Sequence, residues 1–277
     1  MVSNELPPFT VLLSVYKSEK PQYLDQALQS IKDQSVIPNE ILIIEDGKLP
    51  QTLLTILDKH ELNTSISFVR IKLRTNQGLG NALSIGVKKA KNNLIARMDT
   101  DDISVKDRFE VQLAEFQIDD SLVLVGGQID EFNNNPQNII SHKWVPSKEK
   151  EIENFIKYRN PFNHPTVMFK KNIILKVGNY IEVKGFEDYF LWSRIIANKY
   201  KTANLDKVLV HMRVGDGMYS RRGGISYFYR YILLRSKLRK LSIVNTMEMV
   251  SGDLLMLMNI ILPTKIRKFV YKNFLRK

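Results

Sequence analysis

From Phe9 to Phe116 the apolar residues alternate between two spacings. Runs that are apolar on consecutive positions, FTVLLSVY (9–16), EILIIEDG (40–47), ISFVRIKL (66–73) and NLIARMD (93–99), predict strands buried on both faces. Each is followed by a segment with apolar residues three and four apart. After the first run, Lys17, Ser18 and Pro21 open a helix on which Leu24, Ala27, Leu28 and Ile31 share a face. Segments 49–62, 78–91 and 104–116 repeat the pattern. The alternation predicts an α/β fold, a Rossmann-like, mostly parallel central sheet with flanking helices. Ligands of such sheets sit outside the carboxyl ends of the strands, where Tyr16, Asp46 and Asp99 all fall.

The rhythm ends after LVLVGGQIDEF (122–132). Residues 1–132 are therefore predicted to form the ligand-binding α/β domain, and 133–222 a smaller layer packed over it. In 223–277 the pattern becomes basic and amphipathic: Tyr227, Tyr231, Leu234, Leu238 and Leu241 form one helical stripe among Arg230, Arg235, Lys237, Arg239 and Lys240.

Charge sharpens this division. The chain carries a net +12, yet from Arg221 onward thirteen Lys and Arg face only two acids, while the first 220 residues are almost balanced. So confined a charge predicts no nucleic-acid partner; an anionic membrane surface suits a basic amphipathic tail, with a solvated hairpin packed on the body as the alternative. The longest membrane-like run, LLMLMNIIL (254–262), is far short of the ~20 residues needed to span a bilayer, so no transmembrane helix is expected. MVSNELPPFT does not read as a signal peptide. With no cysteine, disulfides and thiolate metal sites are excluded, which suits a reducing compartment.

The chemistry concentrates in two acidic stretches. In NNLIARMDTDD (92–102) an apolar strand meets Asp99, Asp101 and Asp102. Two residues apart in an extended backbone, Asp99 and Asp101 point the same way, which suits Mg²⁺ or Mn²⁺ with phosphate oxygens completing the shell. A solvated turn capping the next helix is the plainer alternative. In GFEDYFLWSRI (185–195), Glu187 and Asp188 begin a helix. They are either acids favoured by the helix dipole, or Asp188 is a general base whose pKa the helix terminus holds down. NQGLGNALSIG (76–86) is not a dinucleotide fingerprint, because Leu83 stands where the third glycine is needed. His164 precedes a proline at a possible pocket edge. After His211, the stretch MRVGDGMYSRRGG offers Arg213, Arg221 and Arg222 to a pyrophosphate.

Taken together, VLLSVYKSE, ILIIEDG, NQGLGNALSIG, ARMDTDDIS-x-x-x-R, HPTVMF and GFEDYFLWSR resemble glycosyltransferase family 2 with its GT-A fold, from about Phe9 to about Arg222. The flavour is that of bacterial transferases building O-antigen, capsule or exopolysaccharide units on a lipid carrier. The resemblance implies a UDP-sugar donor, with galactose as the guess, and a lipid-diphosphate-linked acceptor. It implies nucleotide-sugar contacts from Ser14, Tyr16, Glu19, Asp46, Asn76 and Asp99, and Mn²⁺ or Mg²⁺ held by Asp99 and Asp101, with His211 a further ligand. Asp188 would be the base of an inverting displacement, Glu187 and His164 acceptor contacts, and Arg213, Arg221 and Arg222 diphosphate contacts. The Q-x-x-R-W signature of processive members is absent, which predicts addition of a single sugar. A lipid-linked acceptor implies a cytoplasmic enzyme, peripheral on the inner face of the plasma membrane. Two other classes stay open from the residues alone: a sugar nucleotidyltransferase, and a noncatalytic membrane- or RNA-binding module.

Overall fold

The computed structural model describes residues 6–215 and 224–261, and Arg221 and Arg222 lie outside them. Four predicted strands form as β1 (Phe9–Val15), β2 (Glu40–Glu45), β3 (Ser67–Lys72) and β4 (Leu94–Arg97), all parallel. The helices between them are α1 (Pro21–Lys32), α2 (Gln51–Leu62) and α3 (Leu79–Lys89). The alternation of side chains along β1 explains the layering. Val11, Leu13 and Val15 pack with Leu24, Leu28, Leu53 and Leu57 of α1 and α2, whereas Leu12 packs with Ala82, Leu83 and Val87 of α3.

Beyond β4 come β5 (Ile103–Ser104), α4 (Arg108–Ile118), β6 (Leu122–Phe132), β7 (Ile139–Lys143), α5 (Glu149–Phe155), β8 (Met168–Lys170), α6 (Lys171–Lys176), α7 (Glu187–Ala197) and β9 (Lys201–Arg213). Strand order in the nine-stranded sheet is β3-β2-β1-β4-β8-β6-β9-β5, with β7 also paired to β6. The second half of the sheet is mixed: β8 runs antiparallel to both β4 and β6, and β9 parallel to β6.

Two expectations change here. Residues 133–215 are not a layer laid over the first, because β8 inserts between β4 and β6 and continues the same sheet. The helix expected from Ser104 starts at Arg108, since Ile103 and Ser104 pair with His211 and Val210 of β9.

The described residues end in a hairpin of α8 (Ile225–Lys240) and α9 (Thr246–Ile261). The α8 stripe faces the body and not solvent: Tyr231, Leu234 and Leu238 are buried, and the rings of Tyr227 and Tyr231 lie 5.2 and 6.1 Å from that of Phe186, just before α7. The guanidinium of Arg235, also buried, donates to the carbonyls of Lys157 and Glu248 and ties the hairpin to the loop after α5. Exposed apolar side chains include Val250, Leu254, Leu255 and Met258 of α9, with Ile225 and Leu233 on the other side of α8. Among the described residues no helix is long and apolar enough to cross a membrane. Because Leu234 is core, Leu234→Ala is expected to cost about 2–5 kcal/mol in denaturant unfolding. An unchanged midpoint would mean that the stripe is free for another surface.

Candidate active site

The carboxyl ends of β1, β2 and β4 are held level by backbone hydrogen bonds, Asp46 N to Val15 O at 2.8 Å and Met98 N to Leu12 O at 3.1 Å. They open into a cleft of about 950 Å³ that Ser14, Tyr16, Glu19, Asp46, Asn76, Asp99 and Asp101 all line. Seven expected donor or metal residues are thus brought together.

Each is fixed differently. Asp46 is buried and accepts from Gln77 N (2.6 Å) and Gly78 N (3.0 Å), while the Asn76 side-chain amide donates to it at 3.0 Å. It therefore moulds the loop before α3 as well as facing the cleft. Glu19 accepts from the Thr100 hydroxyl at 2.6 Å and from Lys20 N at 2.8 Å, which sets it beside the acidic turn.

That turn is balanced from beneath. Arg97, the single charge in the apolar run of β4, is buried and grips Asp99 with two nitrogens, one of them at 2.5 Å. Burial works against its charge, but Asp99 outweighs burial and raises the Arg97 pKa. Arg108, wholly buried, donates to Arg97 O (2.7 Å) and the Gln112 side chain (3.1 Å); burial and the Arg97 charge push its pKa down to about 9. Two cations therefore lie under three carboxylates. Asp101 has no such partner, and burial, then Asp99, then Glu19, push its carboxyl up to about 7. Asp102 is raised too, by burial first and Asp101 second. Its Oδ1 accepts from Arg213 N at 2.8 Å, while its buried Oδ2 has no partner among the described residues.

These residues fit a divalent cation: an excess of buried carboxylate, one of it pressed toward neutrality, is what a bound cation relieves. Among the described residues no group of three or more His, Asp or Glu stands ready as a protein cage. The fit is therefore to Asp101, with Asp99 steadied by Arg97, and substrate oxygens or water supplying the rest. His211 is not part of it. It does not line the cleft, and its Nδ1 lies 3.7 Å from Asp130 Oδ2 on the neighbouring strand. Burial lowers its pKa. Arg213 lines the cleft, but its guanidinium donates to Asp101 O (3.1 Å), Asn133 O (3.0 Å) and Gln26 Oε1 (2.7 Å), and stacks 3.8 Å from the Tyr23 ring. It clamps the acidic turn to the end of β9, and of its guanidinium nitrogens Nη2 has a single acceptor, Gln26 Oε1.

Asp188 stands at the start of α7, half-buried. Its Oδ1 accepts from Tyr189 N at 2.7 Å and its Oδ2 from the Asn160 amide at 2.6 Å. Its pKa is raised, not lowered as the helix terminus alone suggests: burial exceeds the opposing pull of Tyr189 N–H, Arg97, Asn160 and Lys143. Glu187 is raised as well, chiefly by burial. Its side chain rests on Gly80, where an added Cβ would come within 2.7 Å of Glu187 Cγ. The G-x-G of NQGLG thus makes room for the second acidic stretch. His164 does not line the cleft: its Nε2 lies 3.0 Å from the Tyr180 hydroxyl and its ring meets Trp192 edge-on, the contacts of a packed structural histidine. Burial, then Arg97, hold its pKa well below the usual range, so it is neutral.

Sequence reasoning quoted Arg97, Thr100 and Arg108 within ARMDTDDIS-x-x-x-R but gave them no role, and it missed Asn160. Arg97 had a signal, a lone charge in a run buried on both faces; Asn160 had none.

An α/β sheet with paired acids at the end of β4, beside the loop that Asp46 shapes, has the layout of the GT-A fold, and comparison places it. The family model for glycosyl transferase family 2 matches residues 10–178, and the chain belongs to that family. It is 34% identical over 276 residues to an Escherichia coli protein, UDP-Gal:alpha-D-GlcNAc-diphosphoundecaprenol beta-1,3-galactosyltransferase, covering 100% of this chain and 99% of that one. It is 33% identical to the amylovoran biosynthesis glycosyltransferase AmsE of Erwinia amylovora, covering 95% and 98%. The fold is similar to the mannosyltransferase PcManGT from Pyrobaculum calidifontis in complex with GDP-Man and Mn²⁺, at a TM-score of 0.65 and 13% identity over 96% of this chain and 80% of that one. Similar, too, is S. aureus TarS in complex with UDP-GlcNAc, at 0.64 and 19% identity over 83% and 66%.

The raised Asp101 pKa sets a stability slope. A carboxyl that ionises near 3.9 unfolded but at about 7 folded destabilises the fold progressively between those values, and by a constant amount above them. In metal-free protein, Asp101→Asn is expected to melt higher than wild type at pH 8 and to lose less stability between pH 4 and 7. Parallel melting curves across that range would contradict the burial of Asp101 among like charges.

Proposed function

We propose that this family 2 glycosyltransferase moves one sugar from a UDP-sugar, galactose as the first choice, to a lipid-diphosphate-linked saccharide in surface polysaccharide synthesis, with inversion. The observation that carries the reading is the cleft at the strand ends, where Asp99 and Asp101 crowd beside the loop that Asp46 shapes. The full-length likeness to a UDP-Gal transferase acting on a lipid-linked GlcNAc supports the donor and acceptor classes.

In this reading Ser14, Tyr16 and Asp46 receive the uridine end of the donor, and Asn76 holds the loop beside it. Asp99 and Asp101 would hold Mn²⁺ or Mg²⁺, which when bound offsets the charge of a departing diphosphate. Asp188 takes the proton from the acceptor hydroxyl as that oxygen bonds to the anomeric carbon and the bond to UDP breaks, the sugar inverting. Its raised pKa makes it, once ionised, a stronger base than an exposed aspartate. Glu187 lies one residue away for acceptor contacts. Turnover requires ionised Asp188, so kcat/KM falls on the acid side at a pH above the ordinary aspartate value.

The test is nucleoside diphosphate release from a panel of nucleotide sugars with a lipid-diphosphate-linked GlcNAc acceptor and Mn²⁺. One UDP-sugar is expected to turn over, and Asp101→Ala and Asp188→Asn to lose at least about a hundredfold. Full turnover by either variant would remove its residue from the mechanism.

The tail is read as the membrane contact through α9. Leu254 and Leu255 are 55% and 60% exposed, and Lys265, Arg267, Lys268, Lys272, Arg276 and Lys277 follow in the sequence. An exposed apolar helix with a basic sequence after it suits anionic lipid, at about 1 kcal/mol per basic residue near the bilayer. Sedimentation with vesicles containing phosphatidylglycerol is expected to capture the protein, with Leu254→Glu/Leu255→Glu and high salt each reducing capture. Equal capture by neutral vesicles, or by the double variant, would contradict it.

A further inference from the structure

We infer that Asn160 is a positioning residue that sets the orientation of the Asp188 carboxylate, an inference that rests on the reading of Asp188 as the base. Asn160 lies in the loop between α5 and the 3-10 turn His164–Thr166, far from α7 in sequence. The loop is fixed on every side. Ile156 O accepts from the Tyr189 hydroxyl at 2.6 Å, Lys157 O from Arg235, and Pro161 O from the Asn204 amide at 3.0 Å. Phe162 is buried, its ring 5.9 Å from that of Trp192.

The hydrogen-bond pattern leaves one orientation for the amide. Phe162 N–H, which can only donate, lies 3.2 Å from Asn160 Oδ1. The NH₂ group therefore faces Asp188 Oδ2, which accepts from it at 2.6 Å. With Oδ1 held by Tyr189 N–H, the carboxylate is gripped at both oxygens, by the backbone of α7 on one side and by Asn160 on the other. The backbone bond cannot be lost by a side-chain change, so the angle of the carboxylate toward an acceptor hydroxyl depends on Asn160. Because Asn160 donates to a carboxylate, it also favours the ionised form that a base requires.

The groups acting electrostatically on Asp188 are Arg97 of β4, Lys143 of β7, Tyr180 between α6 and α7, and Glu187 and Tyr189 of α7. Arg97 is committed to Asp99, which leaves Asn160 as a neutral donor whose hydrogen bond a single substitution can reverse.

The test compares Asn160→Ala, Asn160→Asp and Asp188→Asn in the full-length protein. Asn160→Asp is isosteric and keeps an oxygen for Phe162 N–H, but turns a donor into a second carboxylate. It is expected to lower kcat by about tenfold to a hundredfold and to move the acid limb of kcat/KM up by about one pH unit or more. Asn160→Ala shifts both in the same direction by less. Donor KM and UDP affinity stay near wild type in both, and the melting temperature stays near wild type in Asn160→Ala but falls modestly in Asn160→Asp, as a raised folded-state carboxyl pKa requires. Wild-type kcat and an unmoved acid limb in the Asn160 variants, with Asp188→Asn inactive, overturn the positioning role alone. Loss of UDP affinity and melting temperature in step with kcat also overturns it, since the loop is then merely structural. Turnover by Asp188→Asn removes the base reading, and the inference with it.

Discussion

The grip of buried Arg97 on Asp99 is the interaction on which the rest of the site depends. A cleft that handles a diphosphate needs negative groups to hold a counter-cation, yet carboxylates gathered at the end of a buried strand repel one another. Arg97 stabilises one of them from inside the sheet, and Arg108 adds a second cation beneath it, fixed to the Arg97 carbonyl. Asp101 is left to carry the unrelieved charge, with Glu19 held beside it through Thr100. The arrangement crowds like charge at the strand end, and in the proposed reading a bound cation would relieve it.

The second constraint is how the two acidic stretches are kept together. Insertion of β8 between β4 and β6 makes one continuous sheet, so α7 packs over the same strands that end at the cleft. Gly80 at the start of α3 lets Glu187 approach the loop that Asp46 shapes. On the other side Phe186, immediately before Glu187, is packed by Tyr227 and Tyr231 of α8, and Arg235 ties α8 to the loop that carries Asn160. The hairpin that offers an exposed apolar helix is thus mechanically continuous with the residue read as the base.

Much of this was legible in the sequence, for identifiable reasons. Strands β1 to β4 are buried on both faces and read as unbroken apolar runs, and the helices between them keep their spacing. Strands β5 and β8 are two and three residues long and are defined by their partners, not by any pattern of their own, so neither was anticipated. The α8 stripe was read correctly as a stripe, but amphipathicity says only that a face is covered, and here α7 covers it. The gathering of Asp99 and Asp101 at one strand end followed from spacing and placement, whereas the role of Asp188 was implied by the resemblance. His211 falls outside the cleft because its strand neighbour is Asp130, and Arg213, which lines the cleft, is also tied to the acidic turn, placements that depend on strand pairing and not on local sequence. The direction of the Asp188 pKa was misjudged because the helix terminus is local and visible in sequence, whereas burial is a property of the whole fold.

The most direct test of the central claim is an anomalous difference map from a crystal of this protein grown with Mn²⁺ and UDP. The account predicts a manganese peak in the cleft within bonding distance of the Asp101 carboxylate, with diphosphate oxygens in its shell and the uridine toward Asp46. Manganese bound away from Asp101, for instance at Asp130 and His142, with UDP absent from the cleft, would contradict it.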